Sequence, residues 1–400
     1  MALAIIIWLC LLVLLYTFFG YPLLAALLAK LRPRPARRAE IRPSLTMIIP
    51  AHNEIDVIER KLENTLALDY PRDLLEVLVV DDGSEDNTAD VVARYADRGI
   101  TLLRQIPRQG KMAAVNRGVS EARGEIIVLS DASPDYVPAA LKSAVSYFAD
   151  PEVGVVSGQI RIWDSESAVE KPAGLYWRYQ EKIRLWESKS GTTVGVNGNF
   201  FAFRKALYRP LSTNTINDEF TIAMQIATQG YRVLYDPEAL TYDHASGTMS
   251  DEFARRARIN AGRYQALFDT SFLSLRHPGL TFRLISHKLL RPLAPLFMIA
   301  LLAASILRAI TVGIPSRLPN WSDLVLIRGW IAWLLLVSQA FIYGLAALGW
   351  LCERQGWRKG RLLSTPYFFV SGNLAALAGL YRYLTRRQAV TWQKRSIQEA

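Results

Sequence analysis

The sequence predicts an α/β domain framed at both ends by membrane-spanning helices, on three observations. Short β-branched runs alternate with helix-like segments between about Ser44 and Gly247. Long apolar stretches lie on either side of that region. The composition, 51% hydrophobic and 21% charged over 400 residues, is too apolar for an ordinary soluble enzyme of this size. The same figures exclude intrinsic disorder and small stapled scaffolds. Cys10 and Cys352 both sit inside apolar runs, so neither a disulfide framework nor a cysteine metal site is expected.

The first element is an anchor over residues 1–30. Leu3 to Ala29 carries no charged side chain, and about 20 apolar residues suffice to cross a bilayer. Positive charge follows the apolar run, the reverse of a cleavable signal. The basic linker 31–43 includes Arg32, Arg34, Arg37 and Arg38, and by the positive-inside rule it places the next domain, 44–268, in the cytoplasm at a plasma or inner membrane. Residues 269–288, with Arg276, Arg283 and Lys288 among apolar neighbours, read as an amphipathic connector on the membrane surface. A C-terminal membrane region, 289–385, holds apolar segments at about Leu289–Ile310, Trp330–Leu351 and Tyr367–Leu384, and a basic tail, 386–400, follows. Four crossings would leave that tail outside, against the rule, so the last segment either crosses or lies re-entrant or interfacial. The net charge of +11 thus has its source in residues flanking apolar segments, which implies contact with anionic lipid headgroups. No basic stripe interleaved with aromatics marks a nucleic-acid binder.

In the middle region, strands are expected at Thr46–Ile49, Glu76–Val80, Ile100–Leu103, Glu125–Leu129 and Val153–Val156, with a strand-like Val194–Phe203 further on. Helices are expected at Val57–Leu66, Thr88–Ala96 and Glu219–Gln229. A mostly parallel sheet binds ligands beyond the carboxyl ends of its strands, so the residues there carry the chemistry. Ala51 and Glu54 follow the first strand, and Asp81-Asp82-Gly83-Ser84 the second. Two adjacent carboxylates suit the edge of a base or the hydroxyls of a ribose, although a capped turn accounts for the Asp-Gly-Ser run as well. Lys111 opens a helix, where the dipole disfavours a cation, and therefore calls for an anionic partner. Asp131 ends the fourth strand, placed to hold a divalent ion against a diphosphate.

The ordered set Pro50-Ala-His-Asn-Glu54, Val79-Val-Asp-Asp-Gly-Ser84, Gly110-Lys111 with Asn116, Asp131-Ala-Ser133, Asn217-Asp218 and Arg255-Arg-Ala-Arg258 resembles the inverting family 2 glycosyltransferases, most closely their membrane-integrated polysaccharide-synthase branch. The resemblance implies a GT-A fold that binds a nucleotide-sugar donor, with UDP as the expected nucleotide. Asp81 and Asp82 then read base and ribose with Ala51 and Glu54 nearby, and Lys111 and Arg258 serve the diphosphate. Asp131 holds Mg²⁺ or Mn²⁺. Ser133 replaces the second Asp of the family's metal motif, with Asp135, His244, or diphosphate and water completing the site. His244 is equally a surface histidine. Asp218 is the catalytic base, Glu219 the alternative, and Asp218 as a mere helix cap the structural reading. Asn197 and Gly198 form the acceptor-side turn, and Tyr264 or Phe253 replaces the family's stacking tryptophan, which is Ile259 here.

The function so implied is transfer of a sugar to a growing polysaccharide or a polyprenyl-linked glycan, with export or assembly proteins as partners. Ser133 and Ile259 depart from the family pattern and motivate the alternative of a non-catalytic membrane scaffold that binds nucleotide sugar. The retained Asp82, Asp131, Asp218 and Arg258 point to catalysis.

Overall fold

The computed structural model describes residues 1–162, 170–243, 248–314, 320–357 and 360–388. Its strands are β1 (Leu45–Ala51), β2 (Leu75–Asp81), β3 (Ile100–Arg104), β4 (Ile126–Leu129), β5 (Asp135–Tyr136), β6 (Val153–Ile162), β7 (Phe201–Arg204) and β8 (Arg232–Asp243). They form one sheet in the order β3-β2-β1-β4-β7-β6-β8-β5. The β3-β2-β1-β4 half is parallel, β7 runs antiparallel to both its neighbours, and β6 and β8 are parallel to each other.

The helices are α1 (Ala2–Leu15), α2 (Tyr21–Leu31), α3 (Ile58–Leu66), α4 (Thr88–Ala93), α5 (Lys111–Glu121), α6 (Ala140–Ser146), α7 (Glu170–Lys189), α8 (Asp218–Ala227), α9 (Met249–Phe268), α10 (Pro278–Arg283), α11 (Leu290–Val312), α12 (Trp321–Leu326), α13 (Trp330–Arg354) and α14 (Arg361–Leu384). Every residue of β1 is buried, because helices cover both faces of the sheet. Successive side chains alternate between two apolar cores. Met47 and Ile49 pack with α3, α4 and α6, while Ile48 packs with α5 and α8. Each such side chain, fully buried, favours the folded state by about 1.5–3 kcal/mol.

The expected strands are present at β1, β2, β3, β4 and β6, and the structure corrects the reading elsewhere. Of the strand-like Val194–Phe203 only Phe201 to Phe203 pair in the sheet, as part of β7. The twelve-residue β8 escaped the sequence reading because Pro237 and Glu238 interrupt its apolar pattern. The sheet absorbs that interruption by a register shift between Gly158 and Gln159 of β6.

Three helical runs are long and apolar enough to cross a membrane, Ala2–Leu31, Pro278–Val312 and Trp330–Arg354. The second joins α10 to α11 through the wide turn Leu284–Leu289, so the expected surface connector is, from Pro278 on, the start of a span. Helix α14, the segment whose crossing was open, is not one of the three. It docks on α9 of the α/β domain. Gly379 lies so close to α9 that a Cβ there would stand 2.7 Å from the Ala257 carbonyl oxygen, and Tyr383 donates to Asp269 Oδ1 at 2.7 Å.

Candidate active site

A cavity of about 940 Å³ opens where the carboxyl ends of β1 and β4 face α8 and α9. Pro50, Glu54 and Asp56 line it beyond β1, and Asp131 and Ser133 beyond β4. Ala51 does not reach it, being the wholly buried last residue of β1, whose carbonyl accepts the Asp82 amide at 2.8 Å.

The two aspartates beyond β2 have different surroundings, although both are fully buried. Asp82 accepts from Gln105 Nε2 at 2.9 Å, the Gln109 amide at 2.7 Å and the Gly110 amide at 2.8 Å. Its carboxylate clamps the 105–110 loop and thereby sets the start of α5, a role sequence reasoning missed. Among the described residues Asp81 Oδ1 has no hydrogen-bond partner, a buried acceptor in want of a donor. Gly83 is needed between them and the loop, at φ +67° and with Arg108 backbone only 3.1 Å from where a Cβ would stand.

Lys111, first residue of α5, finds the anionic partners its position demands, and they are carboxylates. Its Nζ lies 2.9 Å from Asp131 Oδ1, 3.1 Å from Asp218 Oδ2 and 3.4 Å from Glu219 Oε1. Burial disfavours its charge, but the three acids outweigh that and hold Lys111 well above the usual lysine range. Asp218 is the first residue of α8, preceded by Asn217 at the cap, so it is not the cap itself. Burial raises the Asp218 carboxyl, yet Lys111 and a hydrogen bond with Glu219 hold it below the usual range. Glu219 takes the opposite direction: burial and the Asp218 charge push it up to about 8. The pair therefore carries one proton at neutral pH, on Glu219, and Asp218 is the ionised member. Asp218 Oδ2 is thus held by the Lys111 ammonium, its ion-pair partner at 3.1 Å.

This arrangement has a pH consequence. A carboxyl raised in the folded state contributes stability below its unfolded pKa near 4.5 and loses it as pH rises through about 8. The unfolding midpoint of the wild-type protein in detergent is expected to fall between pH 6 and 9 by roughly 2–4 °C for each kcal/mol lost. Glu219→Gln is expected to flatten that decline; an unchanged slope would contradict the assignment.

The acceptor-side turn also differs from expectation. Asn197 is buried, donating to the Gly158 carbonyl at 2.8 Å and accepting from Arg184, so it braces the wall of the cavity. Gly198 makes room for the Glu219 side chain: a Cβ there would stand 1.9 Å from Glu219 Oε1. Tyr264 does not serve as a sugar platform. It is fully buried, stacked on Phe268 and Tyr383 and hydrogen-bonded to the Pro292 carbonyl. Among the aromatics that do line the cavity is Trp177 of α7, with Arg255 and Arg184 near its ring.

In the run Arg255-Arg-Ala-Arg258, Glu252 engages Arg255 at 2.8 Å and Arg256 at 2.6 Å. All three arginines line the cavity, and the Arg258 charge there favours ionised Asp218. A solvated helix face is thereby excluded for this cluster.

The oxygen donors of Asp131 and Ser133 at the cavity wall are of the hard kind a divalent ion takes. Asp131 with Ser133 would hold it, and diphosphate and water would supply the remaining ligands. Asp135 does not join them, because its Oδ1 faces Arg60 Nε at 3.4 Å. His244 lies outside the described residues. Among the described residues no group of three or more His, Cys, Asp or Glu forms a metal cluster. Lys61, unnoticed in the sequence, underlies this loop, fully buried and donating to the Pro134 carbonyl at 2.7 Å.

The description Glycosyl transferase family 2 matches residues 46–211, the stretch that contributes Glu54, Lys111 and Asp131 to the cavity. Residues 46–211 form a family 2 glycosyltransferase domain. The chain is 28% identical over 220 residues to the probable glycosyltransferase YdaM of Bacillus subtilis, covering 50% of each chain. It is 26% identical over 218 residues to a poly-β-1,6-N-acetyl-D-glucosamine synthase of Staphylococcus aureus, covering 53% of this chain and 52% of that one. The match thus spans about half the length of these relatives. Among solved structures, the mannosyltransferase PcManGT of Pyrobaculum calidifontis, in complex with GDP-Man and Mn²⁺, superposes with a TM-score of 0.71 at 27% identity, over 96% of this chain and all of that one. The family 2 domain is a GT-A fold, and the expected fold class is confirmed.

Proposed function

We propose that this chain is a membrane-bound inverting glycosyltransferase that moves a sugar from a nucleotide donor to a growing polysaccharide or a lipid-linked glycan, with Asp218 as the base. The observation that carries the reading is the ionised Asp218, paired with Lys111 at 3.1 Å inside a cavity that also presents Asp131 and Arg258. The acceptor hydroxyl donates its proton to Asp218 as its oxygen bonds to the anomeric carbon. The bond from that carbon to the donor phosphate breaks, and its electron pair leaves with the nucleoside diphosphate. Lys111 exchanges carboxylates for the diphosphate, Arg258 steadies its oxygens, and Glu219 keeps its proton so that Asp218 stays charged. A divalent ion held at Asp131 and Ser133 would neutralise the leaving group, in keeping with Mn²⁺ in the Pyrobaculum complex. Asp81, with its unpartnered oxygen, is the candidate reader of the base.

Orientation follows from the three candidate spans. They bring the basic run after α2 and the arginines after α13 to the side that holds the catalytic domain, which the positive-inside rule makes cytoplasmic. With α14 docked on α9, the C-terminal end of α14 stays on that side too. Uridine is the expected base, and guanosine is the base in the solved relative, so both belong in a donor screen on membranes containing the protein. Transfer from at least one donor is expected, with a ladder of product lengths marking a synthase and a single addition a lipid-linked acceptor. No transfer from any donor would overturn the reading in favour of a scaffold.

A further inference from the structure

The cavity continues past Asp218 to the membrane helices, and its wall changes character on the way. The strand-end half carries carboxylates, whereas the far half is lined by Arg184 of α7, Arg263 of α9, Lys288 at the head of the second span and Arg291 of α11. Arg184 is 6% and Lys288 8% exposed. Among the described residues, no carboxylate lies within ion-pair distance of any of the four. Of the acids nearby, Glu252 is engaged by Arg255 and Arg256 and Glu187 by His287 at 2.9 Å, while Glu181, which accepts from Gln159 at 3.3 Å, offsets part of the Arg184 charge from a distance.

Their hydrogen bonds go to neutral groups. Arg184 donates to Asn197, Arg263 to Asn260 Oδ1 at 3.0 Å, and Arg291 to the Tyr179 hydroxyl at 2.8 Å. Arg184 Nε, Arg263 Nε and Arg291 Nη1 are buried with no acceptor. Among the described residues Lys288 has no hydrogen bond or ion pair, and its Nζ lies 5.9 Å from the Phe220 ring. Burying one charge without a counter-ion is costly, and four sharing a wall call for an anion between them. Tyr176 registers the same field. Burial raises its phenol, but Arg291, Arg256, Arg263 and Arg184 together bring it below the ordinary tyrosine value. The lining beside this cluster is apolar and aromatic, from Phe18 in the first span and Phe368 and Phe369 of α14.

We propose that this end of the cavity binds the phosphate or diphosphate of a membrane-anchored acceptor, an amphiphile whose apolar chain passes Phe18, Phe368 and Phe369 into lipid and whose sugar hydroxyl reaches Asp218. The inference rests on the glycosyltransferase reading and names its acceptor class. The donor diphosphate is the other anion at hand, but Lys111 and Arg258 stand beside Asp218 to receive it.

Binding to the purified full-length protein in detergent tests this, with farnesyl phosphate, farnesol, inorganic phosphate and nucleoside diphosphates as separate probes. Farnesyl phosphate is expected to bind at least tenfold more tightly than farnesol or inorganic phosphate. Lys288→Gln and Arg263→Gln are expected to weaken farnesyl phosphate at least tenfold while nucleoside diphosphate affinity stays within about twofold, and Lys288→Arg to restore it. Equal binding of farnesyl phosphate and farnesol by the wild-type protein would overturn the proposal whatever the variants do. So would inorganic phosphate binding as tightly as farnesyl phosphate, or loss of nucleoside diphosphate binding in well-folded variants, which would return the cluster to the donor. Intact farnesyl phosphate binding without transfer from any donor would sink the enzymatic reading and leave the site standing.

Discussion

Asp218→Asn is expected to reduce sugar transfer by about 10³-fold, within the 10²–10⁴ range that a positioned general base contributes, while leaving nucleoside diphosphate binding and thermal stability close to wild type. The substitution keeps the shape of the side chain at the first position of α8 and removes only its charge. That loss should be tolerated locally. Glu219, held protonated in part by the Asp218 charge, becomes free to ionise, so Lys111 retains a compensating partner. The same coupling makes Glu219→Gln the informative control. It removes a group that carries the shared proton, and its effect on transfer should be far smaller than that of Asp218→Asn. A reversed order, with Glu219→Gln the more damaging, would move the base one residue along the helix.

Asp131→Asn is the second large effect, expected to cost about 10²–10³-fold in turnover, the magnitude associated with removing one preorganised group from a charge-stabilising site. Asp131 stands just past β4, whose strand is buried at every position and hydrogen-bonded on both sides, so its carboxylate has a fixed address. It holds Lys111 at 2.9 Å and faces the cavity beside Ser133. Its loss would release Lys111 toward Asp218 and Glu219 and deprive a divalent ion of its one charged ligand from this loop. Titration of turnover against Mn²⁺ should therefore show a higher metal requirement as well as a lower plateau. A variant with wild-type turnover and unchanged metal dependence would remove Asp131 from the donor site.

Much of the α/β domain was legible because parallel strands announce themselves by short, nearly continuous apolar runs, and because strand ends in such sheets converge whatever their side chains. That logic placed Lys111 and Asp131 at one edge of the sheet, and the family resemblance added Asp218. What escaped depends on contacts between residues distant in sequence. Nothing local distinguishes Asp81 from Asp82, yet one is saturated by the 105–110 loop and the other keeps an unpartnered oxygen. Gly198 matters through Glu219, which lies in a different element. Tyr264 satisfied the composition of a sugar platform, but its helical phase turns it toward Pro292 and α14 instead of the cavity. Trp177 had a visible signal in the aromatic run Tyr176-Trp-Arg-Tyr179, passed over because it lies far from every recognised motif. The cationic end of the cavity draws on α7, α9 and a membrane helix together, and only the packing of those three reveals that its charges lack counter-ions.

The account's central claim is a single displacement with Asp218 as base, and the anomeric configuration of the product tests it most directly. Transfer from an α-linked nucleotide sugar, followed by NMR measurement of the anomeric coupling in the new glycoside, is expected to show a β linkage formed from the outset. An α linkage in the first-formed product would contradict a single displacement and with it the role assigned to Asp218.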